Sequence, residues 1–427
     1  MKEAARLESV LEILAFHEAE KKPLDQICHL YFKTRRYIGS KDRQAISAYV
    51  YGVMRRRASC DWWGLERGVS PLLMNATDAS RIRLLAYLWL FEKVARDQIG
   101  ILFSGEKYAP EKLSDKERAV FEKLPEMESL PPWVEGEIPE WLYPFLKRRF
   151  GENLQSELHA FLEQAPLDLR VNTLKTTREE ALETITKAGL LVTPTPYSSL
   201  GLRCTERENI TQLKVFQDGL IEVQDEGSQL IVNLMELQPG QSVLDLCAGA
   251  GGKTLAMAAR LENKGRIIAT DTAGWRLKRT KERLKRAGVF NVELREIVGI
   301  QDKWLKRQKD RFDHVLVDAP CSGTGTWRRN PDQKWRITSA DIQELFTLQK
   351  SLLGAAAPLV KPWGHLIYAT CSLLCEENED VVNVFLSEHS DFTLVPCGLE
   401  GADFLSLSPL KNGTDGFFAA KLVRTLK

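Results

Sequence analysis

Val315-Leu316-Val317-Asp318-Ala319-Pro320-Cys321-Ser322-Gly323-Thr324-Gly325 reads as a strand that stops at chemistry. An apolar, β-branched run of strand length ends at a carboxylate, a proline, a thiol and then small flexible residues, which marks a buried strand with function at its C-terminal end. The pattern returns in His365-Leu366-Ile367-Tyr368-Ala369-Thr370, another short apolar run, which ends at Cys371-Ser372. In an open parallel sheet, ligands occupy the crevice beyond the carboxyl ends of the strands. Two strands that each end in cysteine would therefore direct two thiols into one site.

Outward from this pair, alternation is regular after Gly240. Strands are expected near Ser242 to Leu246, Arg266 to Thr270, Val292 to Ile297, Asp313 to Asp318 and His365 to Thr370. Helical stretches near Lys253 to Leu261, Trp275 to Ala287, Ser339 to Val360 and Asn378 to Glu388 separate them. Such βαβ spacing predicts an α/β, doubly wound, Rossmann-like sheet that is largely parallel. Phe392 to Leu422 holds two further strand candidates.

Between the first strand and helix stands Cys247-Ala248-Gly249-Ala250-Gly251-Gly252-Lys253. Glycines let a ligand approach the backbone, and the helix start offers free amides. A phosphate-binding P-loop needs glycine where Cys247 stands, and the dinucleotide fingerprint begun at Gly249 fails at Thr254. A cofactor without phosphates is preferred. Asp271, at the end of the second strand, suits the ribose hydroxyls of an adenosine, and together these features suit S-adenosylmethionine. A glycine turn used only for helix–sheet packing is the rival for the loop alone, and Asp271 weighs against it.

The chain of 427 residues is 44% hydrophobic, enough for two or three domains with sizeable cores. No apolar run approaches a membrane span, no secretory signal is visible, and eight scattered cysteines make no disulfide framework. A cytoplasmic setting without a structural metal is expected. The formal net charge is only +1, yet Lys33, Arg35, Arg36, Lys41, Arg43, Arg55, Arg56 and Arg57 face a single acid, Asp42, in that interval. A second basic run covers Arg276, Lys278, Arg279, Lys281, Arg283, Lys285 and Arg286. Either run alone reads as a solvated helix face; together, beside aromatic residues, they favour a polyanionic partner. Residues 1–135 are read as a helical domain with its linker, the junction falling from Ser104 to about Gly136. Residues 136–230 read as a small α+β platform in which Thr177 caps a helix, and 231–427 as the Rossmann-like domain.

The Cys247 to Lys253 loop, Asp318-Ala319-Pro320-Cys321-Ser322-Gly323, Arg328-Arg329-Asn330-Pro331-Asp332 with Lys334-Trp335, Tyr368-Ala369-Thr370-Cys371-Ser372 and Glu376-Glu377-Asn378-Glu379 are similar to the RsmB/Sun family of RNA 5-methylcytosine methyltransferases. Gln224 to Gln229 and Asp415-Gly416-Phe417-Phe418 match as well, so the likeness covers about residues 140 to 425. Ser40 to Arg55 resembles the NusB-like helical domain, which in that family binds RNA or a protein partner and points to the bacterial ribosomal-RNA branch. Two departures stand out. Gly249-Ala250 replaces a frequent Ala-Pro, and apolar Ile297 takes the place of an acid that meets adenine, with Glu296 next to it on the opposite strand face.

A monomer is expected, one that binds S-adenosylmethionine through Cys247, Ala248, Gly249, Ala250, Gly251, Gly252, Lys253, Asp271 and Asp318, as the resemblance implies. Carbon 5 of cytosine is too weak a nucleophile to attack a methyl sulfonium unaided, and a thiolate added to carbon 6 makes it one. By resemblance Cys371 supplies that thiolate, Asp318 meets the N3/N4 edge, and Cys321 serves release of the product. Arg328 and Arg329 are expected to meet phosphates or to lie in a solvated loop. A DNA cytosine-5 methyltransferase would promote Cys321 to nucleophile but leaves Thr370-Cys371 unexplained. A non-catalytic RNA-binding assembly factor would not need Asp318, Cys321 and Cys371 together. A thiol redox enzyme is weakest, since neither cysteine has a Cys-x-x-Cys partner.

Overall fold

The computed structural model describes residues 1–66, 75–122, 130–205 and 209–426; residues 123–129 of the expected junction lie outside them. The chain forms two compact units, one of Met1–Glu163 with Trp327–Ile337, the other of Gln164–Thr326 with Thr338–Lys427.

The first unit is helical. Helices Glu3–Glu20, Leu24–Thr34, Ser40–Arg55 and Ala76–Leu90 place Leu7, Val10 and Leu14, then Ile46, Val50 and Val53, then Leu84, Leu85 and Leu88 on single faces, all buried in one core. Trp335 from the late segment packs against this core.

The second unit holds two sheets. Strands β1 (Leu167–Val171), β2 (Val192–Pro194), β3 (Gly201–Cys204) and β4 (Ile221–Val223) form an antiparallel platform in the order β2-β3-β1-β4. Its helix Arg178–Lys187 starts in a capping box, Thr177 accepting from the Glu180 amide and the Glu180 carboxylate accepting from the Thr177 amide.

The larger sheet comprises β5 (Ser242–Asp245), β6 (Arg266–Asp271), β7 (Val292–Glu296), β8 (Phe312–Asp318), β9 (Val360–Thr370), β10 (Phe392–Val395), β11 (Leu405–Leu407) and β12 (Phe417–Arg424). Its order is β10-β12-β9-β8-β5-β6-β7, with β11 also on β12. Strands β5 to β9 run parallel, and β12 joins β9 antiparallel. The chain winds outward from β5 to β7 and returns to β8, so the switch of direction lies between β5 and β8, where α/β sheets bind ligands. The expected Rossmann-like class holds.

Two details differ. The C-terminal segment has three strands where two were expected, because three-residue β11 is too short to show a period. Strand β9 begins at Val360 rather than His365; Pro362 and Gly364 flank a left-handed Trp363 (φ 64°), a turn-like composition where the register with β8 is irregular. Among the described residues, no helix is long and apolar enough to cross a membrane.

Candidate active site

Parallel pairing of β8 with β9 sets Asp318 opposite Ala369, so both strands deliver their next residues to the same rim. The Cys321 and Cys371 sulfurs lie 3.4 Å apart, each half-buried. Their turns are stitched together: the Gly325 amide donates to the Cys371 carbonyl (2.9 Å), and the Leu373 amide to the Thr324 hydroxyl (2.7 Å). The hydrogen bond with Cys371 and then burial push the Cys321 thiol well above its ordinary pKa.

From the neighbouring β5 loop, the Lys253 ammonium donates to Asp318 Oδ2 at 2.7 Å. Burial disfavours this ammonium, but Asp318, with Cys371 and Asp245 also near, more than offsets that and raises its pKa. Asp318 is about one-third exposed (32%), so the pair opens toward solvent at the strand ends.

The glycine loop turns sharply. Gly249 and Gly251 have φ of 56° and 78°, and the helix Gly252–Arg260 begins at once. Asp271 Oδ2 accepts from the Gly249 amide (2.9 Å) and lies 3.9 Å from Arg276 Nη1, while Oδ1 accepts from the Ala273 amide (2.8 Å). The Ala248 amide donates to the Thr270 carbonyl, and Arg283 Nη1 to the Ala250 carbonyl (2.6 Å). Arg283 is itself held by Glu222 of β4 at 2.9 Å, so the platform braces the loop.

These residues fit an adenosine-type cofactor. A Cβ at Gly249 would meet nothing within 4 Å, so space in front of the turn is open. Buried Asp245 accepts from the Thr254 hydroxyl through Oδ2 (2.6 Å), while its Oδ1 has no hydrogen-bond partner among the described residues. Burial, opposed by the Thr254 bond, raises that carboxyl to about 7. Cys247 is half-buried behind the loop, its thiol pushed up by burial. Ile297 is 5% exposed and belongs to the core, whereas Glu296 is exposed and lies against Gly274.

Cys371, Cys321, Asp318 and Lys253 thus meet at one strand-end rim, with the glycine loop and Asp271 beside β5 and β6. Arg328 belongs to the first unit. It is 4% exposed and packed within the first unit, where its carbonyl accepts from Arg55 Nη2 (3.1 Å), so it is not in a solvated loop. Glu377, quoted from the sequence only within a motif, is fully buried and accepts the Ser322 amide at 2.8 Å. The repeated Cys-Ser of 321–322 and 371–372 was the one trace of that shared acceptor.

A family model described as 16S rRNA methyltransferase RsmB/F matches residues 232–423, and one described as the RsmF/B-like ferredoxin-like domain matches residues 138–211. The chain is 32% identical to a probable ribosomal RNA small subunit methyltransferase B of Synechocystis, over 89% of this chain and 91% of that one. It is 37% identical to a ribosomal RNA small subunit methyltransferase B of Photorhabdus laumondii, over 67% and 66% of the two chains. Among solved structures, a methyltransferase homolog protein from Pyrococcus horikoshii is similar with a TM-score of 0.61 and 31% identity, covering 69% of this chain and 97% of that chain. The crystal structure of PH0851 is similar with a TM-score of 0.83 at 27% identity, covering 99% of each chain.

Proposed function

The chain belongs to the 16S rRNA methyltransferase RsmB/F family, and from that premise we propose that it methylates carbon 5 of a cytidine in small-subunit ribosomal RNA through a covalent bond between Cys371 and carbon 6. The observation that carries this is the pair of sulfurs 3.4 Å apart, beside the Lys253–Asp318 ion pair, at the ends of adjacent parallel strands.

The Cys371 thiolate adds to carbon 6 and moves electron density onto carbon 5. Asp318, oriented by Lys253, accepts from the N4 amino group, which selects cytosine, and holds the proton that N3 takes up from solvent as the thiolate adds, which neutralises the charge developing in the ring. S-adenosylmethionine, when bound, supplies the electrophilic methyl group for carbon 5. The glycine loop from Cys247 to Lys253 and the Asp271 carboxylate would hold that cofactor's nucleoside end. After transfer, the carbon 5 proton leaves to a base, the bond between Cys371 and carbon 6 breaks, and the ring regains its conjugation. Cys321, held as a thiol, places an S–H beside the departing sulfur and favours its exit as thiolate. A base must leave any stack to reach this rim, so the target is an unpaired or flipped cytidine. In this scheme residues 1–135, NusB-like, and the 136–230 platform hold RNA, while 231–427 perform the chemistry.

Labelled methyl incorporation into unmodified ribosomal RNA tests the scheme. Cys371→Ala abolishes incorporation, and Cys321→Ala accumulates a covalent RNA adduct visible on a denaturing gel. Normal incorporation by Cys371→Ala would falsify the nucleophile assignment. Mapping 5-methylcytosine in ribosomal RNA with and without the protein identifies the target base.

A further inference from the structure

Glu377 sits in the turn Cys375–Glu377 that follows the end of β9, with no exposed surface. Its carboxylate accepts from the Ser322 amide (2.8 Å), the Gln349 side-chain amide (3.0 Å) and the hydroxyls of both Ser322 and Ser372. Its carbonyl accepts from the Tyr368 hydroxyl at 2.6 Å. Four donors around one carboxyl group match the acceptor-only inventory of a carboxylate; a glutamine in its place has one acceptor oxygen and brings two donors of its own. Ser322 and Ser372 each directly follow a cysteine of the pair. One buried group therefore fastens both turns, and Gln349, which also donates to the Pro320 carbonyl (2.9 Å), ties the same turn to the helix Ser339–Ala356.

We propose that Glu377 is the positioning residue of the cysteine pair: its single carboxylate, bonded to Ser322 and Ser372, holds the Cys321 and Cys371 turns in register and stands its charge beside the Cys321 thiol. The roles of the two cysteines are those of the proposed function, on which this rests. The groups that face Cys321 are the Cys371 sulfur, Glu377, the Tyr368 hydroxyl and the Gly323 backbone. The cation, Lys253, interacts with Cys371 and Asp318. Cys371 through its hydrogen bond, then burial, then the charges of Cys371 and Glu377 keep the Cys321 proton on, and a hydrogen bond with the Gly323 backbone opposes them. Without the Glu377 charge, Cys371 and burial alone would hold that proton.

Two full-length variants separate charge from fastening. Glu377→Gln removes the anion and unbalances the donors, while Ser322→Ala with Ser372→Ala removes the hydroxyl links and keeps the anion. Steady-state kinetics with RNA and S-adenosylmethionine are combined with mass-spectrometric alkylation of Cys321 across pH, below the melting temperature of each variant. For Glu377→Gln, kcat falls on the order of 10- to 100-fold through misplaced reacting groups, while both KM values stay within about twofold because binding contacts persist. The midpoint for Cys321 alkylation moves to lower pH. The double serine variant loses kcat with that midpoint unmoved. A folded Glu377→Gln protein with wild-type kcat, or with an unmoved Cys321 midpoint, overturns the proposal. Should Glu377→Gln not fold, wild-type kcat in the serine variant overturns it. Failure of the cysteine roles would show separately, as activity in Cys371→Ala.

Discussion

Lys253 is the second residue of its helix, and its ammonium reaches Asp318 on a different strand rather than the solvent that a helix-starting lysine would seek. Lysine and methionine have nearly equal helix propensity, so Lys253→Met leaves the helix start unchanged and removes only the charge. Asp318 then loses its partner and is no longer aimed at the base. We expect kcat to drop on the order of 10²- to 10³-fold, the scale for losing one preorganised electrostatic group, with little change in melting temperature. Unchanged kcat would make the lysine a helix-starting residue alone. At this scale the site was partly legible: each cysteine ends an apolar run, so each could be placed from its own neighbours. Lys253–Asp318 spans 65 positions and forms only because β5 lies beside β8, an order that local periodicity does not encode. Glu377 was less legible still, because its donors come from three separate parts of the chain.

The cofactor loop shows what an element demands of its residues. Gly251 has φ of 78°, and a Cβ there would lie 2.4 Å from the Thr280 methyl group, on a side chain that is fully buried. Gly249 has φ of 56° but open space around it. Alanine at either position costs roughly 1–2 kcal/mol for the left-handed backbone; at Gly251 the clash adds displacement of the helix Gly274–Ala287 and of the turn itself. Titration calorimetry should therefore show S-adenosylmethionine affinity lost by more than about tenfold in Gly251→Ala, in line with 1.4 kcal/mol per decade, and a milder loss in Gly249→Ala. Equal affinities in the two variants would mean that helix contact does not shape the loop. The βα alternation that sets this loop was readable from Gly240 onward, since each run had its own period and punctuation. The start of β9 was not, because Pro362 and Gly364 around a left-handed Trp363 signal a turn where the strand is irregular yet continues in the sheet.

Across the whole molecule, the chain leaves its second unit after Thr326, contributes Trp327–Ile337 to the first, and returns at Thr338. Nothing local announces this detour, because its partners lie about 300 positions earlier. Asp332, 2% exposed, accepts from the Leu24 amide (3.2 Å) and from Arg336 Nε (2.8 Å), and lies 3.7 Å from His17 Nε2. The Trp335 indole donates to the Met54 carbonyl at 3.2 Å, and Lys334 is buried at 2% exposure. Burial lowers the Lys334 ammonium of this segment and raises the Glu137 carboxyl of the same unit, so both buried groups are pushed toward their neutral forms. The detour begins one bond after the turn that carries Cys321, so loosening it frees that turn at one end. Asp332→Ala strands the Leu24 amide and removes a partner of Arg336, a cost of about 2 kcal/mol for the unsatisfied buried groups. Proteolysis follows the population of the opened segment when opening is fast, and 2 kcal/mol corresponds to roughly thirtyfold in that population. Limited trypsin digestion of full-length Asp332→Ala should therefore cut after Arg328, Arg329, Lys334 or Arg336 about thirtyfold faster than in wild type, with helix content by circular dichroism unchanged. Methyl transfer should fall in the same protein. Cleavage at the wild-type rate would mean that the segment is held by its tryptophans, with Asp332 adding nothing to the hold.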